Sequence, residues 1–271
     1  MRTPSGVFDV LVDGPPDGPP VLLLHGFPQD ATAWTAQLAA LAAAGHRAVA
    51  VDQRGYSPGA RPTGPDAYRL DLLVADVLAV ADALGAQRFA LAGHDWGGAV
   101  AWSVAAEHPE RVRALAVVST PHGAALAEAL RADPQQRARF GYQADFRRPG
   151  VEDELLADGA ARLRAFYGGR VPAERADHYL RRLAEPGALP AALEWYRAPR
   201  PPSPGPVAVP TLYVWSTEDL AFGRRAALGT AAHVTGEYRF VELAGVSHWV
   251  PEEAADELSA LLVERFALVN G

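Results

Sequence analysis

Residues 91–100 read LAGHDWGGAV, an apolar run leading into a small-residue stretch. Gly93 and Gly97 frame a tight strand-to-helix elbow, a geometry that lifts its central side chain clear of the backbone. The lifted residue is Asp95. A hydroxyl at such a place suits attack on a carbonyl carbon and needs a base to activate it. A carboxylate, with an ordinary pKa of about 3.9, is ionised at neutral pH and needs none. It can displace a leaving group from a saturated carbon in one step. The product is an ester whose carbonyl belongs to the protein, and water must then cleave it. Asp95 therefore points to alkyl rather than acyl transfer.

Partners for that chemistry must arrive from other strand ends. Short apolar runs recur at VLLL (21–24), AVAV (48–51), RFALAG (88–93), LAVVS (115–119), TLYVW (211–215) and YRFVEL (238–243). Unbroken rather than alternating runs suit strands covered on both faces. Helical stretches lie between them. Residues 33–44 stop at Gly45, residues 66–84 carry apolar residues near a helical period, and the stretch after the elbow stops before Pro109. Alternating strands and helices predict an α/β fold with a mostly parallel sheet. Ligands in such sheets sit beyond the carboxyl ends of the strands. Four ends here carry polar or special residues: His25-Gly26-Phe27-Pro28, His94-Asp95-Trp96, Ser216-Thr217-Glu218-Asp219 and Ala244-Gly245-Val246-Ser247-His248.

The alternation breaks between about Ala124 and Pro206, where the chain is Arg- and Glu-rich and reads as several helices before the proline-dense APRPPSPGPVAVP (198–210). This predicts a core of 1–123 and 207–271 with a helical cap inserted at 124–206. At 271 residues and 49% apolar, the chain can bury one sizeable core plus a subdomain. A net charge of −7 argues against nucleic acid as a partner. The absence of cysteine excludes disulfides, thiolate metal sites and a cysteine nucleophile. No signal peptide or membrane span is visible, so the expected location is cytoplasmic.

HGFP (25–28), DQRGYSPG (52–59), GHDWGG (93–98), the run ending in Asp219 and GVSHW (245–249) together resemble the cap-bearing α/β-hydrolases, and among them the epoxide hydrolases, over nearly the whole chain. The resemblance implies an α/β-hydrolase fold with Asp95 as nucleophile, His248 as the base that activates water, and Asp219 orienting His248; Glu218 beside it is the competing acid. It implies main-chain N–H donors at Phe27 and Trp96 for the ester oxygen. Epoxide opening also needs a proton donor for the leaving alkoxide, and the family's paired cap tyrosines match Tyr142 in FGYQADFRRPG and Tyr196 in LEWYRA. The competing reading, that both are packing aromatics of the cap like Tyr167 and Tyr179, is the weaker one, because both contexts match and the pair is what the chemistry needs. Trp34, Trp96, Trp249 and Phe27 are candidates for the substrate wall, with Trp102 another, whereas His25, His94 and His122 read as structural neighbours.

The implied partners are a small apolar organic substrate and water, with no cofactor and no metal; a homodimer is left open. The rival readings share the nucleophile. A haloalkane dehalogenase would use Trp96 to hold halide but often carries Asn where Phe27 stands. A fluoroacetate dehalogenase would carry Arg in place of Trp96. A non-hydrolytic or receptor protein would keep the pocket alone. One departure from the family is the N-terminal compression into about twenty residues before Val21, which predicts a first strand that is short or absent.

Overall fold

The six apolar runs form six strands of a seven-stranded sheet, five of them interior and YRFVEL at one edge. The computed structural model describes residues 1–200 and 202–267; Pro201, inside the proline-dense return segment, lies outside them. A two-residue hairpin, β1 (Arg2–Thr3) with β2 (Gly6–Val7), leads into β3 (Val10–Asp13). Then follow β4 (Pro20–Leu24), β5 (Arg47–Val51), β6 (Phe89–His94), β7 (Val112–Val118), β8 (Thr211–Glu218) and β9 (Tyr238–Ser247). Their order is β3-β5-β4-β6-β7-β8-β9, antiparallel at β3–β5 and parallel elsewhere. The compressed N-terminus thus still forms a first strand of four residues, paired from Val10 opposite Val51 to Asp13 opposite Ala48.

Alternate residues of each central strand enter separate cores, which is why the runs are unbroken. Val21, Leu23, Ala48 and Ala50 pack under α1 (Thr35–Ala43) and α12 (Ala255–Ala267), against Leu38, Leu41, Leu258 and Leu262. Leu22, Leu24, Val49 and Val51 pack under α2 (Leu70–Ala83) and α3 (Trp96–Glu107), against Val77, Val80, Val100 and Val104. Each buried aliphatic side chain is worth about 1.5–3 kcal/mol, so a register slip that exchanged the two faces would be costly.

Between β7 and β8 the chain runs through α4 (Gly123–Ala132), α5 (Pro134–Arg139), α6 (Tyr142–Phe146), α7 (Val151–Phe166), α8 (Ala173–Leu183) and α9 (Ala188–Arg197). α7 is broken at Ala157–Ala160, where Asp158, Gly159 and Ala160 all have positive φ. This helical insertion is fastened to the strand ends by polar contacts. Trp195 Nε1 donates to the Arg54 carbonyl at 2.9 Å, Tyr167 Oη to the Pro28 carbonyl at 3.1 Å, and Arg182 meets Asp52 at 2.8 Å. α10 (Arg224–Gly229) and α11 (Val250–Glu253) complete the helices.

Candidate active site

The elbow after β6 is built by close approach. A Cβ on Gly93 would lie 2.2 Å from the Gly97 carbonyl oxygen, and one on Gly97 would lie 2.2 Å from that of Leu24. Only glycines let α3 start this tightly against β4 and β6. Asp95 takes φ 52°, ψ −120°, a conformation disfavoured for a residue with a Cβ. The Thr120 hydroxyl holds the Asp95 carbonyl at 2.7 Å, and Gly97 N–H donates to the His25 carbonyl at 3.0 Å. The lifted carboxylate is buried at the cavity edge.

Three strand ends meet around it. Asp95 Oδ1 accepts from Phe27 N–H, after β4, at 2.9 Å, and Oδ2 lies 3.5 Å from His248 Nε2, after β9. His248 Nδ1 lies 2.9 Å from Asp219 Oδ2, after β8. Asp219 Oδ1 accepts in turn from the Ala221 and Phe222 N–H groups at 2.7 and 2.8 Å. Glu218, the competing acid, points outward and pairs with Arg170. The structure therefore brings Asp95, Asp219 and His248 into one chain of contacts.

Burial sets the electrostatics, and the neighbours then overturn it. Burial favours the neutral Asp95 carboxyl, but His248 by hydrogen bonding and charge, with His94 and the Phe27 N–H adding to it, holds Asp95 below its ordinary value. Burial likewise pulls His248 down, and Asp219 and then Asp95 push it up to about 10. At neutral pH the resting pair is carboxylate and imidazolium.

The carboxylate opens onto a largely apolar cavity of about 270 Å³, whose wall includes Trp96, Trp102, Phe140, Tyr142 and Phe222. Tyr196 is buried beside it, its ring 5.2 Å from that of Trp96 and 6.3 Å from that of Tyr142. Burial, with the Asp95 charge among the lesser contributions, raises the pKa of both tyrosines, so both hydroxyls keep their protons. Among the described residues, Phe27 supplies the backbone N–H bonded to the Asp95 carboxylate, and Trp96, the first residue of α3, makes no such bond.

The aromatic wall expected from the sequence is corrected in part. Trp34 is fully buried in the core under α1, among Val21, Leu23, Leu38 and Leu41, and does not reach the cavity. Its short helical turn, Ala31–Trp34, aims it at the opposite sheet face from Leu22 and Leu24. Trp249 stands edge-on to His248 at 5.0 Å and donates from Nε1 to the Phe166 carbonyl at 3.1 Å, so it backs the histidine. The Phe27 ring packs on Phe146 and Tyr196 rather than on the cavity wall.

Sequence reasoning gave no place to Gln29 and Glu252. His94 Nε2 lies 2.8 Å from the His248 carbonyl and Nδ1 lies 3.0 Å from Gln29 Oε1. Gln29 Nε2 donates to Glu252 Oε1 at 2.7 Å, which also accepts from Tyr179 Oη at 2.9 Å. Burial raises Glu252 to about 7. This buried polar chain ties the backbone of His248 to the helical insertion. The available signals were weak: Gln29 directly follows HGFP, and Glu252 lies one helical turn beyond His248.

A mostly parallel sheet with an aspartate on its central elbow, and with a second acid and a histidine following in that order at later strand ends, has the layout of an α/β hydrolase with a carboxylate where serine usually stands. The family model for the α/β hydrolase fold matches residues 19–255, and the chain belongs to that family. Within it the chain is an epoxide hydrolase-like enzyme. Epoxide hydrolase A of Mycobacterium tuberculosis is 34% identical, the alignment covering 94% of this chain and 92% of that one. The AB hydrolase superfamily protein YfhM of Bacillus subtilis is 33% identical over 97% and 96%. A solved structure from a group of novel epoxide hydrolases in metagenomes from hot environments superposes with a TM-score of 0.87 at 30% identity, covering 97% of this chain and 96% of that one. No helix among the described residues is long and apolar enough to cross a membrane.

Proposed function

We propose that the chain opens an epoxide to a vicinal diol in two steps, with residues 124–206 acting as a cap over the reacting centre. The observation that carries this is the buried Asp95 carboxylate, held at one oxygen by Phe27 N–H and faced at the other by His248. In the first step the ionised carboxylate attacks an epoxide carbon, the C–O bond of the ring breaks, and Tyr142 and Tyr196 donate to the leaving oxygen. In the second, His248 takes a proton from water that attacks the ester carbonyl. The N–H groups of Phe27 and Trp96 stabilise the oxyanion so formed.

The electrostatics support this order. Esterification neutralises Asp95 and so removes one of the two carboxylates that raise His248. Losing that charge lowers the His248 pKa, so the imidazolium gives up its proton once the ester has formed, by way of solvent to the newly formed alkoxide. The neutral imidazole is then free to accept one from water. Asp219, in contact with the other ring nitrogen, steadies the imidazolium that forms.

Trp96 on the cavity wall favours a second reading, displacement of halide from an alkyl halide by the same nucleophile. The tyrosine pair beside Asp95 favours the epoxide. Purified protein assayed in parallel on styrene oxide, a bromoalkane and a p-nitrophenyl ester should give diol from the first substrate. Halide release without diol would favour the second reading. Inactivity on all three would reject both.

A further inference from the structure

The insertion neutralises many of its arginines with carboxylates. Arg148 and Arg162 share Asp145 and Glu154, Arg164 meets Asp177, and Arg197 meets Glu152 and Glu194. Arg147 and Arg200 do otherwise. They converge on one neutral acceptor, Gln143 Oε1, Arg147 at 3.4 Å and Arg200 closer. Among the described residues neither has a carboxylate within ion-pair distance. Arg147 is also engaged at the Tyr196 carbonyl, to which its Nε donates at 2.9 Å. Arg200 keeps its remaining donors, and with Gln143 it lines the same cavity as Asp95 and Tyr142.

Two guanidiniums on one amide oxygen, beside an apolar wall, leave positive charge without a counter-ion. Both residues are exposed, Arg200 at the cavity rim. Partial desolvation of Arg200 against the wall, and then the neighbouring Arg147, work against its charge. An anion at this point would relieve the repulsion and use donors that the protein itself leaves open. The rest of the wall, with Leu126, Leu130 and Phe140, suits an apolar chain.

We propose that the epoxide substrate carries a carboxylate at the end remote from the ring, and that Arg200 binds it at the rim of the cavity. The inference rests on the epoxide reading above and adds the substrate class to it. Arg200 is a specificity residue here and touches no reacting atom.

The test compares an ω-epoxy alkanoic acid with its methyl ester, with styrene oxide as a third substrate. The wild-type protein should favour the acid in kcat/KM by about tenfold at low salt, as one charge-assisted contact allows, mainly through KM. The preference should shrink as NaCl is added, because a rim charge is screened. Arg200→Gln should bring the acid-to-ester ratio to about one, and Arg200→Lys should keep part of it, since the charge remains without the planar fork. Both are ratios within one protein, and the salt series on wild type needs no variant to fold. A wild-type ratio near one, or a ratio unchanged by Arg200→Gln, overturns the inference while diol from styrene oxide leaves the epoxide reading standing. No diol from any of the three overturns both.

Discussion

Two carboxylates face one imidazole at His248, and the proposed chemistry consumes one of them. Burial works against the charge on His248, and Asp219 and Asp95 together reverse that, raising it to about 10. His248→Gln should still form the ester, because alkylation uses the Asp95 carboxylate and the tyrosine donors but not the imidazole. Mass spectrometry of the variant after epoxide treatment should show a substrate-sized increase on the Asp95 peptide, and an unmodified peptide with full turnover would reject the mechanism. A second consequence concerns stability. An imidazole with an ordinary value of about 6.5 when unfolded, and a raised one when folded, contributes stability fully below the unfolded value and loses it as pH rises through the folded one. Thermal unfolding should therefore show the melting temperature falling between neutral pH and about pH 10, with a shallower fall in His248→Gln. Identical slopes in the two proteins would mean that the ion pair does not form.

The elbow is the element on which the site depends. Gly97→Ala would push a methyl against the Leu24 carbonyl, 2.2 Å away, where neither α3 nor β4 can give way cheaply. Overpacking of this kind costs about 1–3 kcal/mol, so the variant should melt earlier and lose turnover as Asp95 shifts. Calorimetry with a diol assay checks both; an unchanged melting temperature would show that the elbow is looser than its geometry implies. The elbow, the strands and the residues that meet at their ends, Asp95, Asp219 and His248, were legible in the sequence, because glycines at fixed offsets and apolar runs ending in polar residues are local signals. The wall was less so. Trp34 and Trp102 are both tryptophans near motif residues, yet one enters the α1–α12 core and the other reaches the cavity. That difference lies in which sheet face a turn addresses, which composition does not record. Gln29 and Glu252 meet only through the fold, 223 residues apart.

At the scale of the molecule, the proposed chemistry divides between a sheet that presents Asp95 and inserted helices that carry the two tyrosines. Tyr142 and Tyr196 come from α6 and α9, whereas Asp95, Asp219 and His248 come from loops at the strand ends. Ring opening should therefore be separable from ester hydrolysis. Tyr142→Phe and Tyr196→Phe should each slow adduct formation from an epoxide by about 10²–10⁴-fold, the usual contribution of a positioned acid, and spare any displacement of halide. Rapid-quench measurement of the adduct reads this directly, and equal losses on both substrates would assign the tyrosines to packing. The first strand makes the same point about scale: four residues suffice at a sheet edge, where a single partner strand fixes the register.

The most direct test follows oxygen. In a single turnover with enzyme in excess, in water enriched in heavy oxygen, the covalent route gives a first diol carrying ordinary oxygen from Asp95, and the label enters that carboxyl group. Label found directly in the first diol, with none in Asp95, would contradict the account.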